Sequence, residues 1–386
     1  MISRRAFAAG VALIPAAAWC EDKPLAMRLA SAIQNAMAVL PAGPVLLNSF
    51  VVDTGPNLGD FDLTQANAAY VYDNALAGLA LLAVGDRGNA LRIGDALAIA
   101  QSHDRYWHDG RLRNAYQAGV MSVPAKLPGW WDTKARSWQE DPYQVGSQTG
   151  PVAWAMLLWS ALGQADAANR AGNWLDEQLR ASNGYYGGFY GFEPHQVKLS
   201  WQSTEQNTDL SVAFGKLSRL EDSHHAEHFV RAMFDQQRGV FNAGTSPSGT
   251  QNILLAADAG IWPYLAGIGS ANSALAAIKS LTRGAGIGFS AVSSGTWMEG
   301  TGFAALALHG LNDRLAGRFM ATIEANISPS GYIYASVEPR LSTGLTVGPS
   351  LQAGVPEQTF NYFRRPALAP TAWAVLAALD VNPLAR

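Results

Sequence analysis

The chain has 386 residues, a formal net charge of −3, 48% hydrophobic residues and only 15% charged ones. That apolar content supports a buried core and excludes disordered or collagen-like designs, and the near balance of charge offers no basic field for a phosphate backbone, so nucleic acid is excluded as a partner. The single cysteine, Cys20, removes disulfide frameworks, cysteine-based zinc sites and thiol nucleophiles elsewhere in the chain.

The first element is a targeting pattern. Ser3-Arg4-Arg5-Ala6-Phe7 precedes an apolar run over 8–14 and the small residues Ala16-Ala17-Ala18. A charged start, an apolar middle and a small-residue end make a signal peptide, and Arg4-Arg5 with Phe7 resembles the twin-arginine export signal. Cleavage is expected after Ala18, leaving 19–386 as one domain in the periplasm or outside the cell. Acylation of Cys20 is the alternative, against which Ala17-Ala18-Trp19 lacks the aliphatic residue such a signal places three positions earlier. No later run of eighteen uninterrupted apolar residues follows, so no membrane span is expected in the mature chain.

Beyond the leader the chain repeats. Six stretches, 72–84, 150–162, 205–220, 257–268, 299–311 and 369–379, are rich in Ala, Leu and Trp nearly all round, the mark of buried helices. More polar stretches with one apolar face follow most of them, at 87–101, 166–180, 223–236, 270–282 and 313–326, and 25–39 completes a set of twelve. Short β-like segments follow the outer helices at 110–112, 187–190, 239–241, 286–289 and 331–334. Six inner helices inside six outer ones predict an all-α (α/α)6 toroid, each hairpin burying its face against its neighbours. The inner starts are spaced by 78, 55, 52, 42 and 70 residues, too irregular for an open solenoid of equal units. The long loops 48–69, 115–148 and 337–368 are the segments expected to carry function. An irregular helical bundle is the alternative.

Acids open several inner stretches: Asp73 after Tyr72, Glu205 and Asp209, Asp258, and Glu299 after Trp297. In a toroid these ends face the axis from one side, which aims several carboxylates at one cleft. Cleaving a glycosidic bond needs such a set, because one carboxylic acid protonates the leaving oxygen while a carboxylate activates water or attacks. Any one of these acids equally serves as a cap for free N–H groups; four on one ring, beside aromatic residues, favour a site. Glu205 and Asp209 are four apart on one helix face, where like charges repel, so either one pKa rises or a partner cation or substrate hydroxyl intervenes. Asn207 leaves that face and reads as a structural amide.

Trp201-Gln-Ser-Thr-Glu205-Gln-Asn207-Thr-Asp209-Leu, Gly244-Thr245 and Trp297-Met-Glu299-Gly300-Thr301 resemble the Glu-His-Asn-x-Asp and Trp-x-Glu-Gly-Thr motifs of a group of bacterial α/α-barrel proteins described as glycosidase-like. The resemblance runs from about Tyr72 to Leu379 and implies the fold, with Gln206 standing where the group has His. A looser similarity links Glu299-Gly300-Thr301-Gly302-Phe303 to the Glu-Gly-x-Gly-Tyr segment that bears the general acid of family 8 glycoside hydrolases, and Asp209-Leu-Ser-Val-Ala-Phe214 to their Asp-Leu-x-Ile-Ala-Tyr segment, in reversed chain order. This implies Glu299 as proton donor, with Glu205, Asp209 and Asp73 as candidates for base and for gripping hydroxyls.

Loop tryptophans suit the flat faces of sugars. Trp130 and Trp131 are the expected stacking platform, with Trp201, Trp297, Tyr72, Asp258 and Tyr362 around the cleft, whereas Trp154, Trp159, Trp174 and Trp373 read as core. His195 is placed to meet substrate, and Arg364 either binds an acidic sugar or caps a helix. His224, His225 and His228 fall on a polar outer helix and read as a solvated face, so neither metal nor cofactor is expected. The leading reading is a monomeric, exported glycoside hydrolase of a polysaccharide or oligosaccharide, inverting because acid and base come from different helices. The alternatives are a lyase acting on a uronate polymer through His195, Tyr362 and Arg364, and a non-catalytic carbohydrate-binding protein of exopolysaccharide export. A terpene cyclase is disfavoured by the lack of an Asp-rich run.

Overall fold

The computed structural model describes residues 23–54 and 59–386. The export signal and Cys20 lie outside the described residues. The described residues form thirteen helices: α1 (Lys23–Ala38), α2 (Asp60–Gln65), α3 (Val71–Ala83), α4 (Arg87–Ser102), α5 (Thr149–Leu162), α6 (Ala165–Leu179), α7 (Thr204–Lys216), α8 (Leu220–Ala232), α9 (Ala257–Leu265), α10 (Ala271–Leu281), α11 (Met298–Gly310), α12 (Leu315–Ala325) and α13 (Leu368–Ala378).

The odd-numbered helices from α3 to α13 are buried on nearly every side, and all but α7, whose first turns bury polar residues, are apolar on nearly every side. They pack in the order α3, α5, α7, α9, α11, α13, and α13 closes back on α3. Each lies against one amphipathic partner outside it: α4, α6, α8, α10, α12 and, for α13, α1. The fold is therefore an (α/α)6 barrel with short antiparallel strand pairs in its loops. Close approach of inner helices depends on small residues; a Cβ on Gly78 of α3 would fall 2.7 Å from a Leu158 methyl of α5.

Several boundaries differ from the sequence expectation for local reasons. The apolar stretch expected over 205–220 is α7 ended at Lys216, because Ser218 turns to φ +59° and Arg219 caps α8, which starts at Leu220. The stretch expected over 257–268 ends at Leu265, followed by Gly267 at φ +70°. No strand forms at 110–112; there Arg111 is held by Asp109 and lies 3.8 Å from the centre of the Trp107 ring, while Arg113 is fully buried on Asp104 (2.6 Å) and Glu193 (2.9 Å). The long loops carry structure of their own: α2 in the first, the hairpin Trp130–Asp132 with Ser137–Gln139 in the second, and the hairpin Arg340–Thr346 with Thr359–Phe363 in the third.

Candidate active site

The inner helices share one register. Their second residues are Tyr72, Gly150, Glu205, Asp258, Glu299 and Ala369, and their sixth residues, one turn deeper, are Leu76, Trp154, Asp209, Trp262, Phe303 and Trp373. Side chains four apart on a helix share a face, so two layers stack on the barrel axis. The deeper layer is an aromatic plug: Trp154, Trp262, Trp373 and Phe303 meet at ring-centre distances between 5.4 and 5.8 Å. The upper layer floors a cavity of about 930 Å³, lined by Tyr72, Asp73, Glu205, Asp258 and Glu299 among others. Gly150 and Ala369 in that layer leave the space that larger side chains would fill.

Burial dominates the electrostatics. Asp73, Asp258 and Glu299 are 8%, 9% and 5% exposed. Desolvation pushes the Asp73 carboxyl up to about 7, against a hydrogen bond with Ser49. Asp258 is pushed only to about 6 by the same cause, because its Oδ1 accepts the Ala259 N–H at 2.6 Å at the start of α9. Glu205 is held well above the carboxylate range by burial and then by the neighbouring charges of Asp258 and Glu299. Glu299 is held well above it by burial, with the Tyr72 hydrogen bond opposing and the Asp73 and Asp258 charges adding. A negative charge on Asp258 raises Glu205 and Glu299 further, so these carboxyls disfavour one another's ionisation.

Glu299 is also fixed in direction. The Tyr72 hydroxyl donates to its Oε1 at 2.5 Å and accepts the Trp373 indole N–H at 2.8 Å. With Oε1 occupied as an acceptor, the acid proton belongs on Oε2. Trp297, which precedes α11, is buried against Phe289 (4.7 Å) and Tyr362 (5.6 Å) and forms the wall beside Glu299.

The structure thus brings Tyr72, Asp73, Trp201, Glu205, Asp258, Trp297, Glu299 and Tyr362 to one cavity. Other expected site residues lie elsewhere. Asp209 sits below the cavity floor, fully buried, with neither carboxyl oxygen hydrogen-bonded; Trp154 Nε1 is beside it but short of hydrogen-bond geometry. Trp130 and Trp131 pair across the hairpin with Gln139 and Trp138 outside the cavity lining, and Trp131 is 60% exposed. His195 is exposed and is not among the cavity-lining residues; the turn carrying it is anchored through Glu193 to Arg105 and Arg113. Arg364 lies over the Tyr334 ring and donates to Asn326 Oδ1 and to the Ser336 and Val337 carbonyls, which ties it to the loop after α12 and away from the cavity lining, in neither of its expected roles.

Tyr143, Gln206, Trp262, Phe360 and Asn361 line the cavity and were not singled out as substrate contacts from sequence. Trp262 carried a usable signal, since it follows Asp258 by four residues as Phe303 follows Glu299. Gln206, Asn361 and Thr245, all lining residues, each hold a buried oxygen, Oε1, Oδ1 and Oγ1, that has no hydrogen-bond partner. Lys198 is the one Lys or Arg among the described lining residues, and its ammonium is engaged with the Gln178 carbonyl at 2.7 Å. Among the described residues no cluster of three or more His, Cys, Asp or Glu is arranged to hold a metal ion, and no helix is long and apolar enough to cross a membrane.

No protein-family model and no curated protein sequence matches the chain. Among solved structures it resembles a glycosidase over 96% of its own length and 99% of that chain, at 14% identity and a TM-score of 0.60. An α-amylase from Clostridium perfringens matches over 92% of this chain and 98% of its own, at 9% identity and a TM-score of 0.60. A cellobiose 2-epimerase from Bacillus thermoamylovorans matches over 92% and 99%, at 11% identity and a TM-score of 0.57. At such identities the likeness is one of fold: the chain is an (α/α)6 barrel of the architecture that these glycosidases and sugar epimerases share.

Proposed function

We propose that the protein is a glycoside hydrolase of a neutral oligosaccharide or polysaccharide, with Glu299 as proton donor and Asp258 as the carboxylate that activates water. The observation that carries this reading is the set of four carboxyls, Asp73, Asp258 and Glu299 buried and Glu205 half-buried, around one aromatic-walled cavity. Their environments hold Glu299 protonated while leaving Asp258 the most readily ionised, the division of labour that acid and base catalysis needs. Asp258, a substrate contact in the sequence reading, thereby takes the base role ahead of Glu205 and Asp73.

In the reaction, Asp258 takes a proton from water as the water oxygen bonds to the anomeric carbon. Glu299 Oε2 gives its proton to the departing oxygen as that bond breaks. The configuration inverts, since no protein atom bonds to the sugar. Glu205, held well above the carboxylate range, Asp73, raised to about 7, and the Gln206 and Asn361 side chains grip hydroxyls. The similarity of the Glu299 segment to the general-acid segment of family 8 hydrolases supports the same assignment.

A uronate substrate fits poorly. Its carboxylate would enter a carboxyl-lined cavity with no free cation among the described lining residues, and of the three residues a lyase would use, Tyr362 lines the cavity whereas His195 and Arg364 lie outside it. The test is a panel of neutral and uronate-containing saccharides read for reducing ends, for the ultraviolet absorbance of an unsaturated product, and by chromatography for an isomerised sugar. Reducing ends from neutral members alone are expected, with the anomer first released opposite to that of the bond cut; an unsaturated or isomerised product defeats the reading. Export by the twin-arginine route is part of the proposal. Arg4→Lys with Arg5→Lys should abolish it, and undiminished periplasmic protein would count against it.

A further inference from the structure

Resting on the hydrolase reading above, we propose that the hairpin Arg340–Thr346 with Thr359–Phe363 straps the cavity mouth and confines the enzyme to chain ends and short neutral oligosaccharides. The protein therefore cuts from the end of a chain and not within it.

The hairpin belongs to the segment that leads into α13, whereas its tip rests on Tyr190 and Gly191, in the segment that leads into α7. In the closed ring α7 and α13 stand three places apart among six, so the hairpin crosses the mouth along a diameter. The landing is close. A Cβ on Gly348 would come within 2.3 Å of the Tyr190 ring, and the Leu351 side chain lies 3.4 Å from where a Cβ on Gly191 would stand.

Rings fix the rest of the hairpin to loops that enter three other inner helices. Phe363 packs on Phe61 before α3 at 4.7 Å, Phe360 on Tyr143 before α5 at 6.3 Å, and Tyr362 on Trp297 before α11 at 5.6 Å. Thr346, Val347, Asn361 and Tyr362 of the same hairpin line the cavity directly. A polymer extending to both sides of Glu299 and Asp258 would have to thread beneath this strap. A chain end needs only to enter. The cavity's 930 Å³ lies at the upper end of the ~300–1,000 Å³ of sites that enclose small ligands, room for a few sugar rings and not for a long segment.

The experiment compares the full-length protein with a variant lacking residues 350–356, none of which lines the cavity, and with Tyr190→Ala, which removes the landing. Probes are cello-, malto- and laminari-oligosaccharides from the disaccharide to the hexasaccharide, with the parent glucans. Product size and solution viscosity are followed with time, and calorimetry measures binding of the same probes. The wild type should release only small products and leave viscosity to fall in proportion to bonds cut. In either folded variant the ratio of kcat/KM for polymer to that for trisaccharide should rise roughly 10-fold or more. Early viscosity collapse with mid-sized fragments from the wild type overturns the proposal, and so does an unchanged product pattern in both folded variants. If nothing is cleaved the hydrolase reading falls, and binding decides the strap. Polymer bound only once the strap is shortened supports it, and polymer bound as well by the wild type refutes it.

Discussion

Asp73 offers a test of the cavity's electrostatics that needs no substrate. An aspartate in an unfolded chain ionises near pH ~3.9, whereas burial holds this one protonated up to about 7. Below about pH 4 both states keep the proton and the folded state carries no penalty. Above that, the unfolded chain ionises while the folded one does not, so stability falls by about 1.4 kcal/mol per pH unit until Asp73 itself ionises near 7, and is flat beyond. Between about pH 5 and about pH 8 this single group lowers stability by about 2–3 kcal/mol. Asp258, pushed only to about 6, acts in the same direction over a narrower window. Groups held low by arginines, such as Asp104 and Glu193, lose their contribution only in more acid solution and do not interfere. Urea unfolding across that range should give a wild-type curve that declines with pH and a flatter Asp73→Asn curve. Parallel curves would show that Asp73 is not held protonated, and would remove the basis for a dry, acid-lined site.

Other substitutions probe separate parts of the account. Tyr72→Phe removes the donor to Glu299 Oε1 and orphans the Trp373 N–H, costing about 1–3 kcal/mol of stability. It should also raise the Glu299 pKa, because the ionised form loses a hydrogen bond, so the alkaline limb of the pH–rate profile should move to higher pH. Gly150→Leu places a side chain where a Cβ alone would lie 3.1 Å from Gln206 and 3.5 Å from a Glu205 oxygen; sugar binding by calorimetry should be abolished, and retained affinity would mean that the floor is not the binding surface. Trp131→Ala should change the affinity for short sugars and the folding stability by less than about 0.5 kcal/mol, because the indole is exposed and outside the cavity. A larger loss of affinity would return Trp131 to the role its sequence suggests.

The barrel was legible because burial on all sides leaves a plain mark: α5 and α13 show scarcely a polar residue, whereas α6 and α10 each keep a polar face. The acids were legible for a related reason, since Glu205, Asp258 and Glu299 occupy the same second position of successive inner helices. What composition could not supply was the third dimension. Tyr72 and Glu299 are 227 residues apart, and no local pattern announces their hydrogen bond. The strap was hidden because its strands are separated by a polar, Gly- and Pro-containing tip that reads as loop, and its pairing slips between Ser342 and Thr346. Trp130 and Trp131 misled because a tryptophan-rich loop looks the same whether it faces the axis or the outside. Asp209 belonged to the right helix face but one turn too deep to reach a ligand.

The central claim is that Glu299 donates the proton that releases the leaving oxygen. The direct measurement is kcat/KM of Glu299→Gln on two substrates of the same sugar: a natural neutral oligosaccharide, and a glycosyl fluoride whose leaving group departs without protonation. Loss of general acid catalysis should lower the rate on the oligosaccharide by roughly 10²–10⁴-fold and leave the fluoride within about 10-fold of wild type. A folded variant that cleaves the oligosaccharide near the wild-type rate, or that loses both activities equally, would contradict the assignment of Glu299 as the acid.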